Sequence, residues 1–247
     1  MPEITASKYL TQASWRDVPH LPPEAQAALL SGYSPHERKA RSEGAPSLGS
    51  GAIYPVDPDS FRIDPLVLPD HWPRVYALDV GWKRTAALWA AHDRQNDVVY
   101  LYSEYYQAEA LPAVHVAAIK ARGAWIPGVI DPASAGASQR DGNRLAAEYR
   151  SLGLKLVAAN NDVEAGILAV LDRLSTGRLL VFRTLQNWFR EHALYRRDEK
   201  GRVVKEFDHL MDAMRYLVLS GLEKAITRPA TSVMAPNRPA ADAIAGY

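Results

Sequence analysis

Apolar residues between positions 73 and 224 recur first with the spacing of strands and then with that of helices. Residues 74–80 form a nearly continuous apolar run, which predicts a buried strand. Residues 85–92 and 98–106 are rich in apolar, β-branched and aromatic side chains and predict two further strands. The polar stretch 94–97 between them is typical of a hairpin turn. This region therefore opens with three antiparallel strands.

The rest of the region alternates between helical spacing and short apolar runs. Residues 195–206 are polar and predict a hairpin that turns at 198–201. The alternation favours an α/β fold with a mixed sheet, three antiparallel strands followed by parallel strands, flanked by helices. Helices are predicted over residues 111–122, 142–152, 162–176 (closed by Gly177), 184–193 and 208–224, and strands over 128–131, 155–158 and 178–182.

The two ends of the chain have a different texture. Residues 1–72 are rich in Pro, Ser and Gly, with short helical candidates at 23–30 and 35–42, and we interpret them as a linker or arm before the folded domain. Residues 225–247 are rich in Ala and Pro without periodicity, which predicts a disordered tail. Residues 73–224 are thus the predicted domain.

Composition narrows the class of protein only a little. Of the 247 residues 47% are apolar and the formal net charge is +1, so a sizeable core is expected and no partner is excluded. The absence of cysteine excludes disulfides and zinc sites built on cysteine. We find neither a signal peptide nor an apolar stretch that could span a membrane, and expect an intracellular protein with no membrane partner.

Acidic residues stand at positions where the local pattern is apolar. Asp79 and Asp131 each end an apolar strand, where a carboxylate loses hydration unless something pairs with it. Asp208 and Asp212 are four residues apart on the last predicted helix and so share one face, with His209 beside them. Two strand-end acids and a helical pair can meet at one edge of a sheet.

Each of these residues also has an ordinary structural interpretation. Asp131 precedes a proline, as turn residues often do, and Asp208 is well placed to cap the last helix. Asp212 would be a surface acid paired with Arg215, and His209 a surface residue. Only the order along the chain, a first-strand acid, a fourth-strand acid and a last-helix acid, favours a shared site.

Clustered carboxylates need a cation between them, because like charges raise one another's pKa. Carboxylate oxygens suit Mg²⁺ or Mn²⁺. Two such ions roughly 3.5–4 Å apart can promote in-line phosphodiester hydrolysis without a protein nucleophile. We therefore predict a two-ion site with Asp79, Asp131 and Asp212 as catalytic ligands, and with Asp208 and His209 as further ligands.

A nuclease must also hold its DNA. Cations near the predicted site can neutralise phosphates without reading sequence, although each can equally be a solvated surface charge. Trp82 could pack on a DNA sugar or close the edge of the core, and we favour the core. The candidate DNA contacts are Lys83, Arg84, Arg140, Arg144, Arg196, Arg197, Lys200 and Arg202.

Several segments resemble the C-terminal nuclease domain of the large terminase subunit of tailed bacteriophages, together with the linker before it. They are residues 14–21 (SWRDVPHL), 46–55 (PSLGSGAIYP), 77–81 (ALDVG), 161–167 (NDVEAGI) and 208–216 (DHLMDAMRY). The last segment is the most specific, since a His followed by Asp-Ala-x-Arg-Tyr is typical of the final helix of that family. The resemblance covers residues 14–222.

The resemblance implies a ribonuclease-H-like fold and a metal-dependent endonuclease that cuts concatemeric viral DNA during packaging, in the cytoplasm of an infected bacterium. Asp79 and Asp131 match the first two acidic ligands of the family, Asp212 the helical one, and Asp208 or His209 the accessory ligand. The implied partners are double-stranded DNA, the terminase ATPase domain, the small terminase subunit and the portal protein.

One departure from the family is large. Complete large terminases begin with a packaging ATPase, whereas this sequence has no phosphate-binding loop of the form GxxxxGK[ST]. We therefore expect a truncated or split form that does not hydrolyse ATP. Two alternatives stay open: a Holliday-junction resolvase or transposase-like nuclease, and a non-catalytic module that docks on portal or small terminase.

Overall fold

In the computed structural model, a seven-stranded mixed sheet organises the chain. The structure describes residues 14–17, 21–32, 42, 51–131 and 139–229, and only the backbone of Arg16 and of residues 139–144. The strands lie in the order β1-β7-β4-β3-β2-β5-β6. They are β1 (Arg62–Ile63), β2 (Arg74–Asp79), β3 (Thr85–Asp93), β4 (Val98–Gln107), β5 (Gly128–Ile130), β6 (Leu156–Ala158) and β7 (Leu179–Phe182).

The centre of the sheet is the predicted antiparallel meander. Strands β2, β3 and β4 pair antiparallel, with Tyr76 opposite Trp89 and Ala87 opposite Tyr105. Parallel strands extend it on both sides: β5 and β6 beyond β2, and β7 and β1 beyond β4. The mixed-sheet prediction is confirmed, and the three central strands end within one or two residues of their predicted bounds.

Helices cover both faces of the sheet, and so its central strands are apolar on both sides. Val75 and Ala77 of β2 point into a core with α4, α5 and α6, whereas Tyr76 and Leu78 point into a second core with α2 and α3. The helices are α1 (Pro23–Ser31), α2 (Pro112–Ala121), α3 (Gln139–Ser151), α4 (Val163–Ser175), α5 (Gln186–Leu194) and α6 (His209–Tyr216).

The last predicted helix is regular only at its start. After α6 the chain continues in a wider π-helical turn, Leu217–Gly221, and then a 3₁₀ turn, Leu222–Lys224. The hydroxyl of Ser220 donates to the carbonyl of Tyr216 at 3.1 Å within the wide turn. By contrast, α4 is closed as predicted, because Gly177 adopts a φ of 70° that favours glycine.

Part of the predicted linker belongs to the folded domain, where it adds an edge strand to the sheet. Residues 62–63 form β1, which pairs with β7, and Phe61 is fully buried against the ring of Trp188. A two-residue strand leaves no periodic pattern in the sequence. At the other end, Ile226 pairs with Arg74 across an antiparallel bridge. The predicted helix at 35–42 (apart from Ser42) and the tail beyond residue 229 lie outside the described residues.

None of the helices in the described ranges is long and apolar enough to cross a membrane.

Candidate metal-binding active site

Two of the predicted acids stand side by side at one edge of the sheet. Strands β2 and β5 are neighbours and run parallel, and Leu78 pairs with Ile130. Asp79 ends β2, and Asp131 directly follows β5. Side chains alternate along a strand, so both acids point to the same face as the core residues that precede them by two positions, the face that α6 covers.

Helix α6 crosses β2 and β3 and brings the helical residues to the same edge. Asp208 and Asp212 are buried, with 9% and 13% of their side chains exposed. His209 Nδ1 lies 2.8 Å from Asp79 Oδ2, and these two side chains are 33% and 13% exposed. The contact joins residues 130 positions apart in the chain.

The pKa values of Asp79 and His209 are shifted by burial, by their hydrogen bond and by the acids around them. Burial raises the pKa of Asp79, the hydrogen bond with His209 opposes this shift, and the charges of Asp212 and Asp208 add to it. The same hydrogen bond raises the pKa of His209. A carboxylate whose pKa is raised by burial and by like charges is one that a cation would stabilise.

Protein cations already contact the helical acids. Arg215 Nη2 donates to Asp212 Oδ1 at 2.6 Å, and Lys205 Nζ donates to Asp212 Oδ2 at 3.0 Å. Lys205 Nζ also lies 3.2 Å from Asp208 Oδ2. Arg215 is almost fully buried; burial opposes its charge, but Asp212 outweighs that effect and keeps the pKa of Arg215 raised. The α4 backbone approaches closely at Gly166, where a Cβ would stand 3.0 Å from Arg215 Cβ.

Tyr216 connects the three catalytic candidates. Its hydroxyl donates to Asp131 Oδ2 at 2.9 Å, and Asn161 Nδ2 donates to the other oxygen of Asp131 at 3.3 Å. Burial raises the pKa of Tyr216, and the negative charges of Asp212, Asp79 and Asp131 raise it further. Of the three aspartates, Asp131 contacts the hydroxyl directly, and Asp79 and Asp212 lie near enough for their charges to affect its pKa.

The donor chemistry of this cluster fits a hard divalent cation, because it offers several buried carboxylates with a deficit of positive charge. In the structure, however, the carboxylates of this cluster are more widely spaced than a bound ion requires. Within the described part of the chain, no three His, Asp or Glu side chains stand close enough together to hold an ion. The oxygens of Asp79, Asp131 and Asp212 instead contact His209, Tyr216 and protein cations. To bind an ion, the aspartates would have to exchange those contacts for contacts with the ion.

The side chain of Asp208 does not cap α6, because it makes no hydrogen bond to the backbone of the first turn. That task falls to Glu191 of α5, whose Oε2 accepts from the backbone N–H of Leu210 at 2.5 Å and whose Oε1 accepts from the hydroxyl of Tyr106 at 2.5 Å. The sequence analysis did not identify Glu191. In the structure Glu191 is buried together with Trp188 and His192 of the same helix.

The expectation that Trp82 lies in the core is wrong. Its side chain is 69% exposed, because it follows Gly81 in the turn between β2 and β3, beyond the helices that cover the sheet. The next residue, Lys83, is exposed as well. An exposed tryptophan and a cation thus lie close in sequence to Asp79.

The other predicted DNA contacts fall into four groups. Arg84 Cζ lies 4.4 Å from the ring centroid of Tyr106. Arg197 is engaged by Glu164 through two hydrogen bonds of 2.9 and 2.7 Å, which attach the hairpin of residues 196–204 to α4. The side chains of Arg140 and Arg144 lie outside the described residues, and those of Arg196, Lys200 and Arg202 are exposed on the hairpin.

Comparisons with known proteins bear on the family and the fold of this chain. A family model for the terminase RNaseH-like domain matches residues 77–220, a range that includes all five predicted metal ligands. The large terminase subunit of Salmonella phage P22 is 31% identical to this chain over 210 residues, which are 81% of this chain and 42% of that protein. The chain thus spans less than half the length of this curated relative.

Solved structures show the same fold. The nuclease domain of the P22 large terminase is 29% identical, with a TM-score of 0.66, over 72% of this chain and 96% of that chain. The large terminase nuclease from thermophilic phage G20c, solved with bound magnesium, is 14% identical, with a TM-score of 0.50, over 70% and 98% of the two chains. At that identity the likeness concerns the fold alone, and the predicted ribonuclease-H-like fold is confirmed.

Proposed function

Because the chain belongs to the family of terminase RNaseH-like domains, we propose that it is a metal-dependent DNA endonuclease that cuts concatemeric viral DNA during genome packaging. Cleavage is phosphodiester hydrolysis with two divalent ions and little sequence specificity. The observation that carries the proposal is that Asp79 and Asp131 end neighbouring parallel strands under α6, the helix that carries Asp212 and contacts Asp79 through His209.

In this proposal Asp79, Asp131 and Asp212 hold the ions, Mg²⁺ or Mn²⁺, with Asp208 and His209 as accessory ligands. The bound ions would supply a hydroxide at neutral pH and charge stabilisation for the leaving 3′ oxygen. The protein keeps the ligands ready for binding: Arg215 fixes one oxygen of Asp212, and Tyr216 fixes one oxygen of Asp131. The other oxygen of Asp212 contacts Lys205, and the other oxygen of Asp131 contacts Asn161.

Lys83, Arg84, Arg140, Arg144, Arg196, Lys200 and Arg202 are proposed to contact DNA phosphates. For Arg197 we propose a structural role instead, because its ion pair with Glu164 attaches the hairpin to α4. We also propose that the nuclease works beside a packaging ATPase, a small terminase subunit and a portal in the cytoplasm of an infected bacterium. Membership of the family supports these partners, and the share of the curated relative that lies outside this chain leaves room for the ATPase.

Incubation of the chain with supercoiled plasmid tests the proposal. We expect Mn²⁺ or Mg²⁺ to yield nicked and linear DNA, EDTA to stop cutting, and Asp79→Asn and Asp212→Asn to lower the rate at least 100-fold, since each removes a ligand charge (roughly the loss seen for one stabilising group). Equal cutting by both variants would refute it. Cutting of four-way junctions alone would favour a resolvase, and portal capture without cutting would favour a docking module.

A further inference from the structure

Two arginines beside the acidic cluster have no acidic partner among the described residues. Arg84 precedes β3, and its guanidinium lies 4.4 Å from the ring centroid of Tyr106. Arg190 is an exposed residue of α5, and its guanidinium lies 5.3 Å from the ring centroid of Phe207. No hydrogen bond or ion pair of either guanidinium with the described part of the chain occurs, so their N–H groups are free to donate.

Both arginines are close to the candidate active site. The ring of Tyr106 lies 6.4 Å from that of His209, which contacts Asp79. Phe207, whose ring contacts Arg190, is two residues before His209. Burial raises the pKa of Tyr106, and the charges of Arg84 and Arg190 both oppose that shift, so both guanidiniums act on the same hydroxyl.

The aromatic rings hold these guanidiniums without neutralising them. A ring contacts the flat face of a guanidinium and leaves its N–H edge open, whereas a carboxylate would occupy that edge. Arg197 on the hairpin illustrates the other case, because Glu164 engages two of its nitrogens. An open edge fits a phosphate, which accepts two parallel hydrogen bonds from one arginine.

The backbone at Phe207 adds an independent observation. Phe207 has a φ of 55°, which is uncommon for a bulky residue and costs conformational energy, and its side chain is 46% exposed. Strained positions of this kind concentrate at functional sites. In this conformation the ring is about half exposed and lies against the Arg190 guanidinium.

We propose that Arg84 on Tyr106 and Arg190 on Phe207 form a phosphate clamp, which binds two backbone phosphates of the DNA strand that enters the active site. The proposal rests on the proposed nuclease function and names two residues that hold the substrate. The clamp offsets the repulsion between DNA and the aspartates. It reads no base, because phosphates carry no sequence information.

The test measures binding of the full chain to a fluorescent 20-base-pair duplex by anisotropy, with Ca²⁺ in place of Mg²⁺ and at several salt concentrations. We expect Arg84→Gln with Arg190→Gln to weaken binding about tenfold per arginine. The slope of log affinity against log salt should fall by about 1.8, which is about 0.9 for each lost phosphate contact. Phe207→Leu, which keeps both charges, should weaken binding several-fold.

Lys155→Gln with Lys224→Gln is the charge-matched control. Both lysines are exposed near the opposite edge of the sheet: Lys155 directly before β6, and Lys224 beside the Ile226–Arg74 bridge. This double variant should bind as the wild type does. An arginine double variant that melts like the wild type and keeps the wild-type salt slope overturns the clamp even if the wild type cuts DNA. A wild type that neither binds nor cuts duplex DNA instead overturns the proposed function.

Discussion

Lys205 occupies a place where a metal ion would compete with it. Its ammonium lies 3.0 Å from Asp212 and 3.2 Å from Asp208, two acids that are proposed to bind metal. Burial lowers the pKa of Lys205, but both aspartates outweigh this effect and raise it, so the lysine is charged in the absence of metal. We expect Lys205→Gln, which removes the charge and keeps much of the stem, to bind Mn²⁺ more tightly than the wild type.

The size of this effect follows from the exposure of the two ion pairs. The Lys205 side chain is 58% exposed, so each pair is screened by water and contributes about 0.2–1 kcal/mol. The two pairs together give about 0.5–2 kcal/mol that metal binding has to overcome. Because about 1.4 kcal/mol is a factor of ten, the dissociation constant for Mn²⁺ should fall about 2- to 30-fold.

Isothermal titration of the full chain with Mn²⁺ checks this value without any DNA. Lys200→Gln is the matched control, because Lys200 lies exposed on the hairpin that directly precedes Lys205 and its side chain contacts none of the described acids. It should leave the affinity unchanged. An affinity of Lys205→Gln equal to or weaker than that of the wild type refutes competition and would mean that Lys205 organises the ligands instead.

Three further predictions concern the framework of the site. His192 is buried and burial lowers its pKa to about 4, whereas the unfolded chain binds the proton near 6.5, so stability should fall as pH drops from 6.5 to 4. His192→Phe should remove about 3 kcal/mol of that loss in urea titrations at the two pH values, and an unchanged pH dependence would contradict the burial argument. Gly128→Ala should destabilise the fold by about 3 kcal/mol or more, because the new Cβ would stand 2.3 Å from the ring of Tyr76. A melting temperature within a degree of the wild type would refute that contact. Glu164→Gln should release the hairpin from α4 and make it several-fold more sensitive to trypsin, since one of two charged partners is lost. Equal cleavage rates of variant and wild type would show that Arg197 does not hold the hairpin.

The acids of the site could be predicted because the apolar residues beside them indicate buried strands. Asp79 and Asp131 each interrupt an apolar run at its end, and the parallel pairing of those runs brings the two carboxylates together. Asp212 could be placed with them because helical spacing puts it on the face of α6 that covers the sheet. Their order along the chain indicated the topology, which local motifs alone did not.

The remaining residues depend on contacts that no local pattern records. No pattern in the sequence indicates the contacts of Lys205 and Arg190, and only the folded chain brings one between two acids and the other onto Phe207. Trp82 was expected to close the edge of the core, but it is exposed between β2 and β3. Strand β1 was missed since two residues are too few to show alternation, although Phe61 beside it is fully buried.

A crystal of the chain soaked in Mn²⁺ and measured at the manganese absorption edge tests the central claim most directly. We expect two anomalous peaks about 3.5–4 Å apart, bounded by Asp79, Asp131 and Asp212, with Lys205 displaced from Asp212. Absence of any peak at these aspartates at a saturating concentration of Mn²⁺, or a peak only elsewhere on the surface, would contradict the assignment of this cluster as the metal site of a nuclease.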